Sequence, residues 1–535
     1  MRTGSDRQRR ERFAHRLAQG ALLALLAACS GGDAPTAPGT PTPPPVPRDT
    51  TFTVPSVLRE FRGVWIATVN NLDWPSRTTL TPAEQRGELV ALLDRAVMLG
   101  ANAVIFQVRV NGEKLYAGGD EPWATALAGR TDVDPGYDPL QLAIDSARAR
   151  GLEVHAWFNP FRAGNAGDTA RLAPSHFAAR RPDLRRVPRD RVTGTGVGLW
   201  FDPGEPDVQD HTIGVITDVV QRYDIDAVHI DDFFYPYPNA NGALIFPDDS
   251  TYARYTRDGG TLTRGDWRRE NINRFVERMY REVKQRKPWV RVGISPFGIW
   301  RPGNPAGVTG LDAYNDLYAD SRLWLQRGWV DYLAPQLYWA ITSTGQPFNA
   351  LLDWWLAQNT MGRHLWPGLA AYRVADGTSS AFPASEIVNQ VAAVRQRGGA
   401  PGTILFRAGS VFANRDNLFG TLAANVYSAA ALPPALTWID NTPPAPPALS
   451  VTGANASQWQ VTLQSPSAEP LHWWLVRWRT RSSRDEIRWY ARLVDASRTV
   501  VGVPAVVDGA RTDGIVASAV DLAGNASDGS IWRAP

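Results

Sequence analysis

The stretch Asp224–Pro238, DIDAVHIDDFFYPYP, wraps four aspartates, four aromatics and two prolines around the apolar run AVHI. That run reads as a buried β-strand, and it delivers two adjacent acids, Asp231 and Asp232, at its C-terminal end. Unpaired carboxylates are costly to bury, so such a pair belongs where a strand meets a cleft. Seven runs of the same kind flank it: RGVWIATV (62–69), AVIFQVRV (103–110), EVHAWFNP (153–160), VRVGISPF (290–297), VDYLAPQLYW (330–339), LWPGLAAYR (365–373) and TILFRAG (403–409). Helical patterns lie between them. In TPAEQRGELVALLDRAVMLG (81–100), Thr81 suits the N-cap, Pro82 the first helical position and Gly100 the residue past the end. Eight near-continuous apolar strands alternating with helices predict an α/β chain closed into a (β/α)8 TIM barrel.

The rest of the chain frames that barrel. With 44% hydrophobic and 20% charged residues, the composition is that of a globular protein. A net charge of +3, with no basic stripe beyond the N-terminus, argues against a nucleic-acid partner. Residues 1–29 pair a basic start, RQRRERFAHR, with the short apolar run LAQGALLALLAAC, the pattern of a secretory signal. Leu26-Ala27-Ala28-Cys29 resembles a bacterial lipobox, so Cys29, the sole cysteine, is the expected lipidation site. Residues 30–55 form a Pro-rich tether, 56–435 the barrel, and 436–535 a small all-β sandwich announced by alternating runs such as HWWLVRWRTR (472–481). Its closing ASAVDLAGNAS (517–527) looks like the end of a fibronectin type III-like module. The expected location is the bacterial cell envelope, lipid-anchored, at the outer membrane facing the periplasm.

In a barrel of this kind the active site gathers at the C-terminal strand ends. Asp231 and Asp232 are therefore the leading catalytic candidates. Alternation should turn them to different sides, and glycoside cleavage uses two carboxyl groups about 5–10 Å apart, so a partner acid is sought elsewhere. Asp202 in LWFDPGEP and Glu121 in GGDEPWATAL are the candidates. Gln107, Arg109, Asn159, Arg162, Gln336, Tyr338 and Tyr372 also end strands and suit substrate binding, and Tyr235, Trp300 and Trp339 offer aromatic faces for sugar rings. Other chemistries lack their residues. A lone cysteine near the signal supplies no thiolate metal site, and H-E-x-x-H, P-loop and nucleophile-elbow patterns do not occur. No metal or organic cofactor is expected. The rivals are a metal-dependent carbohydrate deacetylase using His229 with the aspartates, and a glycan-binding lipoprotein without catalysis.

Several blocks carry a resemblance together: REFRGVWIATVNNLDWPS (59–76), AVIFQVRVNGEKLY (103–116), GLEVHAWFNPFR (151–162), AVHIDDFFYPYP (227–238), RVGISPFGIWRPG (291–303) and GTILFRAGSV (402–411). In this order they resemble glycosyl-hydrolase-like family 10. The resemblance implies a TIM-barrel glycosidase acting on amino-sugar glycan, with peptide-stripped peptidoglycan strands as the polysaccharide substrate. It leaves a two-carboxylate route and a route using the substrate's own N-acetyl group both open. Set against the chitinase-type D-x-x-D-x-D-x-E strand, this one has His229 for the middle aspartate and Phe233 for the glutamate.

Overall fold

The computed structural model describes residues 52–165, 167, 171–399, 401–455 and 457–534; the expected signal, with Cys29, and the tether up to Thr51 lie outside the described residues. Eight strand positions form the barrel: β1 (Phe61–Ile66), β2 (Ala103–Val110), β3 (Glu153–Phe158), β4 (Ala227–Ile230), β5 (Arg291–Ile294), β6 (Tyr332–Leu333), β7 in two halves (His364–Leu365 and Gly368–Leu369) and β8 (Gly402–Leu405). Every neighbour in this ring pairs in parallel. The break in β7 falls at Trp366-Pro367, where proline has no N–H to donate. The first half of β7 pairs with β6 and the second with β8, and β8 returns to β1, so the ring closes.

Helices α1 (Pro82–Leu99), α2 (Pro139–Arg148), α3 (Pro206–Arg222), α4 (Arg264–Arg286), α5 (Ser321–Arg327), α6 (Phe348–Gln358) and α7 (Ala384–Gln396) connect successive strands. Helix α1 starts as the sequence predicts. Thr81 and Glu84 form a reciprocal capping box, and Gly100 ends the helix at φ 86. Even-numbered residues of the strands, such as Val64, Val104, Val154, Val228 and Val292, face the helices in one large apolar layer. Odd-numbered or matching residues fill the lumen: Phe61, Trp65, Ile105, Trp157, Tyr332, Trp366 and Ile404. Phe61 stacks on Trp366 at 3.9 Å between ring centres. At Gly293 a side chain would meet the Tyr332 ring at 1.9 Å, so glycine is what lets tyrosine occupy the axis.

A polar column accompanies these rings. Arg291 pairs with Glu153, Glu153 with His155, and both His155 and His229 bond the Tyr332 hydroxyl, at 2.9 and 2.8 Å. Its upper end is the contact of His229 Nε2 with Ser295 Oγ at 3.0 Å.

After the barrel come two antiparallel sheets. One contains β9 (Ala448–Asn455), β10 (Gln458–Gln464) and β13 (Val500–Pro504). The other is built from β12 (Ile487–Asp495), β11 (Leu471–Arg481), β15 (Ala510–Asp521) and β16 (Ser530–Arg533), with the short β14 (Val506–Val507) beside β15. Trp474, Val476, Val461 and Ile515 pack between the sheets. This sandwich meets the N-terminal ends of the barrel strands. His472 Nε2 lies 2.9 Å from Asp226 Oδ1, and Arg59 donates to the Gly524 carbonyl at 2.6 Å. It therefore covers the barrel's floor, and the opposite rim stays free of it.

Candidate active site

The rim gathers side chains in register. Gln107, Trp157, Asn159, Asp231, Ser295, Gln336 and Phe406 continue the inward-facing rows of their strands and line one cavity of about 240 Å³, together with Trp65, Arg162, Asp232 and Tyr338. Asp231 follows the row of Ala227 and His229. By alternation Asp232 should face the helices with Val228 and Ile230. Regular strand geometry stops at Ile230, however, and the chain turns so that both acids reach the cavity wall.

Their partners differ. Trp157 Nε1 donates to Asp231 Oδ2 at 3.0 Å, Asn159 Nδ2 reaches both carboxylate oxygens at 3.1 Å, and the Phe233 N–H donates to Oδ1 at 3.3 Å. Asp232 Oδ2 accepts from the Tyr237 hydroxyl, and the Gln336 amide also acts on this carboxylate. Burial, and after it the neighbouring Asp232 charge, pushes Asp231 up to about 7. Burial pushes Asp232 up to about 6 against the opposing donation from Tyr237. Both are raised because charge is disfavoured in a dry wall, and the pair loses its protons as a coupled unit. Asp231 is raised further than Asp232, so in the free site the proton that remains near neutrality rests mainly on Asp231.

Some expected contacts are not where the sequence placed them. Glu121 is buried in a bidentate pair with Arg109, at 2.8 and 2.6 Å, and His211 adds a third contact at 2.8 Å. Arg109 also bonds the carbonyls of Asn159 and Pro160, so it braces the loop after β3 and has no atom on the cavity wall. Its inward row is broken by a bulge between Gln107 and Arg109 where β2 meets β3. Asp202 is sealed against Arg186 at 2.9 Å and Thr251 at 2.7 Å. Neither Asp202 nor Glu121 can serve as partner acid, because each is neutralised away from the cavity. Tyr235 packs between Phe246 and Tyr318, Trp300 stacks on Trp354, and Trp339 packs edge-on to Phe297; all three stand outside the wall. Tyr372 lies behind Tyr338, its ring edge-on at 5.8 Å. Arg162 is on the wall, and its backbone N–H is held by Asn159 Oδ1 at 2.9 Å.

His229 cannot complete a metal site with the aspartates. Its Nδ1 bonds Tyr332, its Nε2 faces both Ser295 and Trp65, and burial holds the ring well below the usual histidine value. Sequence reasoning missed Trp157 and Tyr237 as partners of the acids. Trp157 was legible in principle, standing two residues before Asn159 in the same inward row.

A barrel whose rim presents two adjacent buried acids among aromatic and amide side chains is of the glycosidase class. The chain belongs to the Glycosyl hydrolase-like 10 family, whose profile matches residues 60–383. A Bacillus subtilis (strain 168) protein, glycosyl hydrolase YngK, is 39% identical over 73% of this chain and 76% of its own length. Glycosyl hydrolase DigH of Escherichia coli (strain K12) is 34% identical over 66% of this chain and 82% of its own. A looser likeness, with TM-score 0.47 and 14% identity, links 70% of this chain to 100% of the catalytic domain of a Paenibacillus polymyxa β-amylase. Membership makes the chain glycosidase-like, with a carbohydrate as its substrate.

Proposed function

We propose that the protein hydrolyses amino-sugar glycan, with peptide-stripped peptidoglycan strands as substrate, and that the N-acetyl group of the substrate takes part in the reaction. One observation carries this reading: the acids on the cavity wall are Asp231 and Asp232, and no further carboxylate lines it among the described residues. A double-displacement or inverting mechanism needs a second carboxyl group across the sugar from the acid. Adjacent residues beyond one strand end serve better as acid and orienting base on the same side.

In this scheme the bound sugar's acetamido N–H favours ionised Asp231, whose charge leaves the proton on Asp232, and Asp232 gives it to the glycosidic oxygen as the bond to the anomeric carbon breaks. The acetamido carbonyl oxygen closes on that carbon, while Asp231, held by Trp157 and Asn159, accepts the acetamido N–H and balances the growing positive charge. Water then attacks the same carbon, gives its proton back to Asp232, and reopens the ring. Gln336, Tyr338 and Arg162 supply polar edges and a ring face to the sugar. Lipidation at Cys29 and a station at the outer membrane follow from the lipobox and belong to the same proposal, as does a fibronectin type III-like identity for the sandwich. The packing of its two antiparallel sheets, of three and five strands, supports that identity. Incubating peptide-free strands with the wild type should create new reducing ends, and Asp232→Asn should create none. Strands left intact by the wild type would overturn the reading.

A further inference from the structure

Beside the catalytic cavity lies a larger depression of about 440 Å³, within the ordinary range of ligand sites. The two share Val69, Asn70, Val110 and Asn111 in their walls, so a chain leaving one enters the other. Asn70 and Asn111 both take the left-handed backbone, at φ 52 and 55, which asparagine tolerates better than most residues.

The far wall carries Arg130 and Arg171. Arg130 follows the helical turn Thr125–Ala128 and Gly129, and Arg171 comes from the loop after β3. Both are exposed, and neither has a hydrogen bond, ion pair or ring contact among the described residues. The acid on this wall, Glu113, is committed elsewhere: it accepts from the Thr125 N–H at 2.7 Å and from its hydroxyl at 2.9 Å. Asn111 Oδ1 and Thr131 Oγ1 add buried polar atoms without a partner among the described residues. Two guanidinium groups thus face an open depression that continues the cleft of the acid pair. Arginine's planar fork matches a carboxylate in two-point contact.

We infer that this depression is a subsite for a sugar unit bearing a free carboxylate, and that Arg130 and Arg171 determine specificity for it. The inference rests on the proposed glycan reading and sharpens it. In peptidoglycan the lactyl group of every second sugar is a neutral amide while the stem peptide is attached, and becomes a carboxylate when the peptide is removed. Two arginines without a partner among the described residues would read that newly exposed charge, so the stripped strand is selected by what peptide removal creates.

The test is calorimetric binding of peptide-free glycan fragments to the full-length Asp232→Asn protein, which keeps them intact. Fragments with carboxylates are compared with fragments whose carboxyl groups have been reduced to alcohols. The carboxylate form should bind about tenfold more tightly, a preference that fades as salt is raised. Adding Arg130→Gln with Arg171→Gln should erase the preference without weakening the alcohol form, and the Lys pair should restore part of it. Equal binding of both fragments, binding of neither, or a preference that survives the Gln pair would overturn the inference. Wild-type cleavage of both fragments at equal kcat/KM would remove the subsite and leave the proposed function standing. A retained preference without cleavage would remove the function and leave the subsite.

Discussion

Replacing Asp232 with asparagine should stabilise the fold in alkaline solution while it abolishes turnover. Burial raises this carboxyl from the usual 3.8 to about 6. At 1.36 kcal/mol per pH unit, that difference corresponds to roughly 3 kcal/mol. The sign follows from proton linkage. The folded state holds the proton more tightly than the unfolded chain, so the group's stabilising contribution is complete below the unfolded value near 4 and is lost as pH rises through about 6. At about pH 8 the wild type therefore bears a buried charge that the amide lacks, and the Tyr237 hydroxyl still finds an oxygen to donate to. Removing that charge also eases the ionisation of Asp231, which Asp232 opposes. Guanidinium unfolding at about pH 8 and about pH 4.5 reads the effect, with the gain for Asp232→Asn on the order of 3 kcal/mol in the first and small in the second. A variant less stable than wild type at the higher pH, or a difference independent of pH, would show that the carboxyl is not held in a charge-disfavouring wall.

Other expectations follow from the same geometry. Activity should fall on the alkaline side as the pair loses its proton between about 6 and 7, and a pH–rate profile flat through pH 9 (about two units beyond) would contradict this. Tyr237→Phe removes a donor that favours ionised Asp232, so the alkaline limb of kcat should move to higher pH, and no movement would count against the contact. Trp157→Phe removes the N–H on Asp231 and should lower kcat about tenfold or more with little change in KM. Glu121→Gln leaves Arg109 buried without its counter-charge and should destabilise the barrel by about 3–5 kcal/mol, while folded protein keeps its kcat. A thiazoline analogue of an N-acetyl sugar should inhibit competitively, and indifference to it would favour a route without acetamido participation.

The barrel was legible because parallel strands covered on both faces write long apolar runs, and eight of them alternate with helices. The inward row was equally legible where strands run regularly, which is how Gln107, Asn159, Asp231 and Gln336 reach one cavity. It failed where the backbone departs from that period. The bulge in β2 turns Arg109 away, and the end of β4 at Ile230 turns Asp232 in. Partners distant in sequence were invisible for a different reason. Nothing local to Asp202 announces Arg186 and Thr251, and nothing local to Glu121 announces His211. Within FFYPYP, only the fold decides that Tyr237 meets the acid while Tyr235 packs on Phe246.

The central claim, that the aspartate pair directs water to a glycosidic carbon, is tested most directly by digestion in heavy-oxygen water with mass analysis of the fragments. The account predicts shortened chains, each new reducing end carrying one solvent oxygen, every acetyl group retained, and no product from Asp232→Asn. Released acetate with uncut chains, or fragments lacking solvent oxygen at the cut, would contradict it.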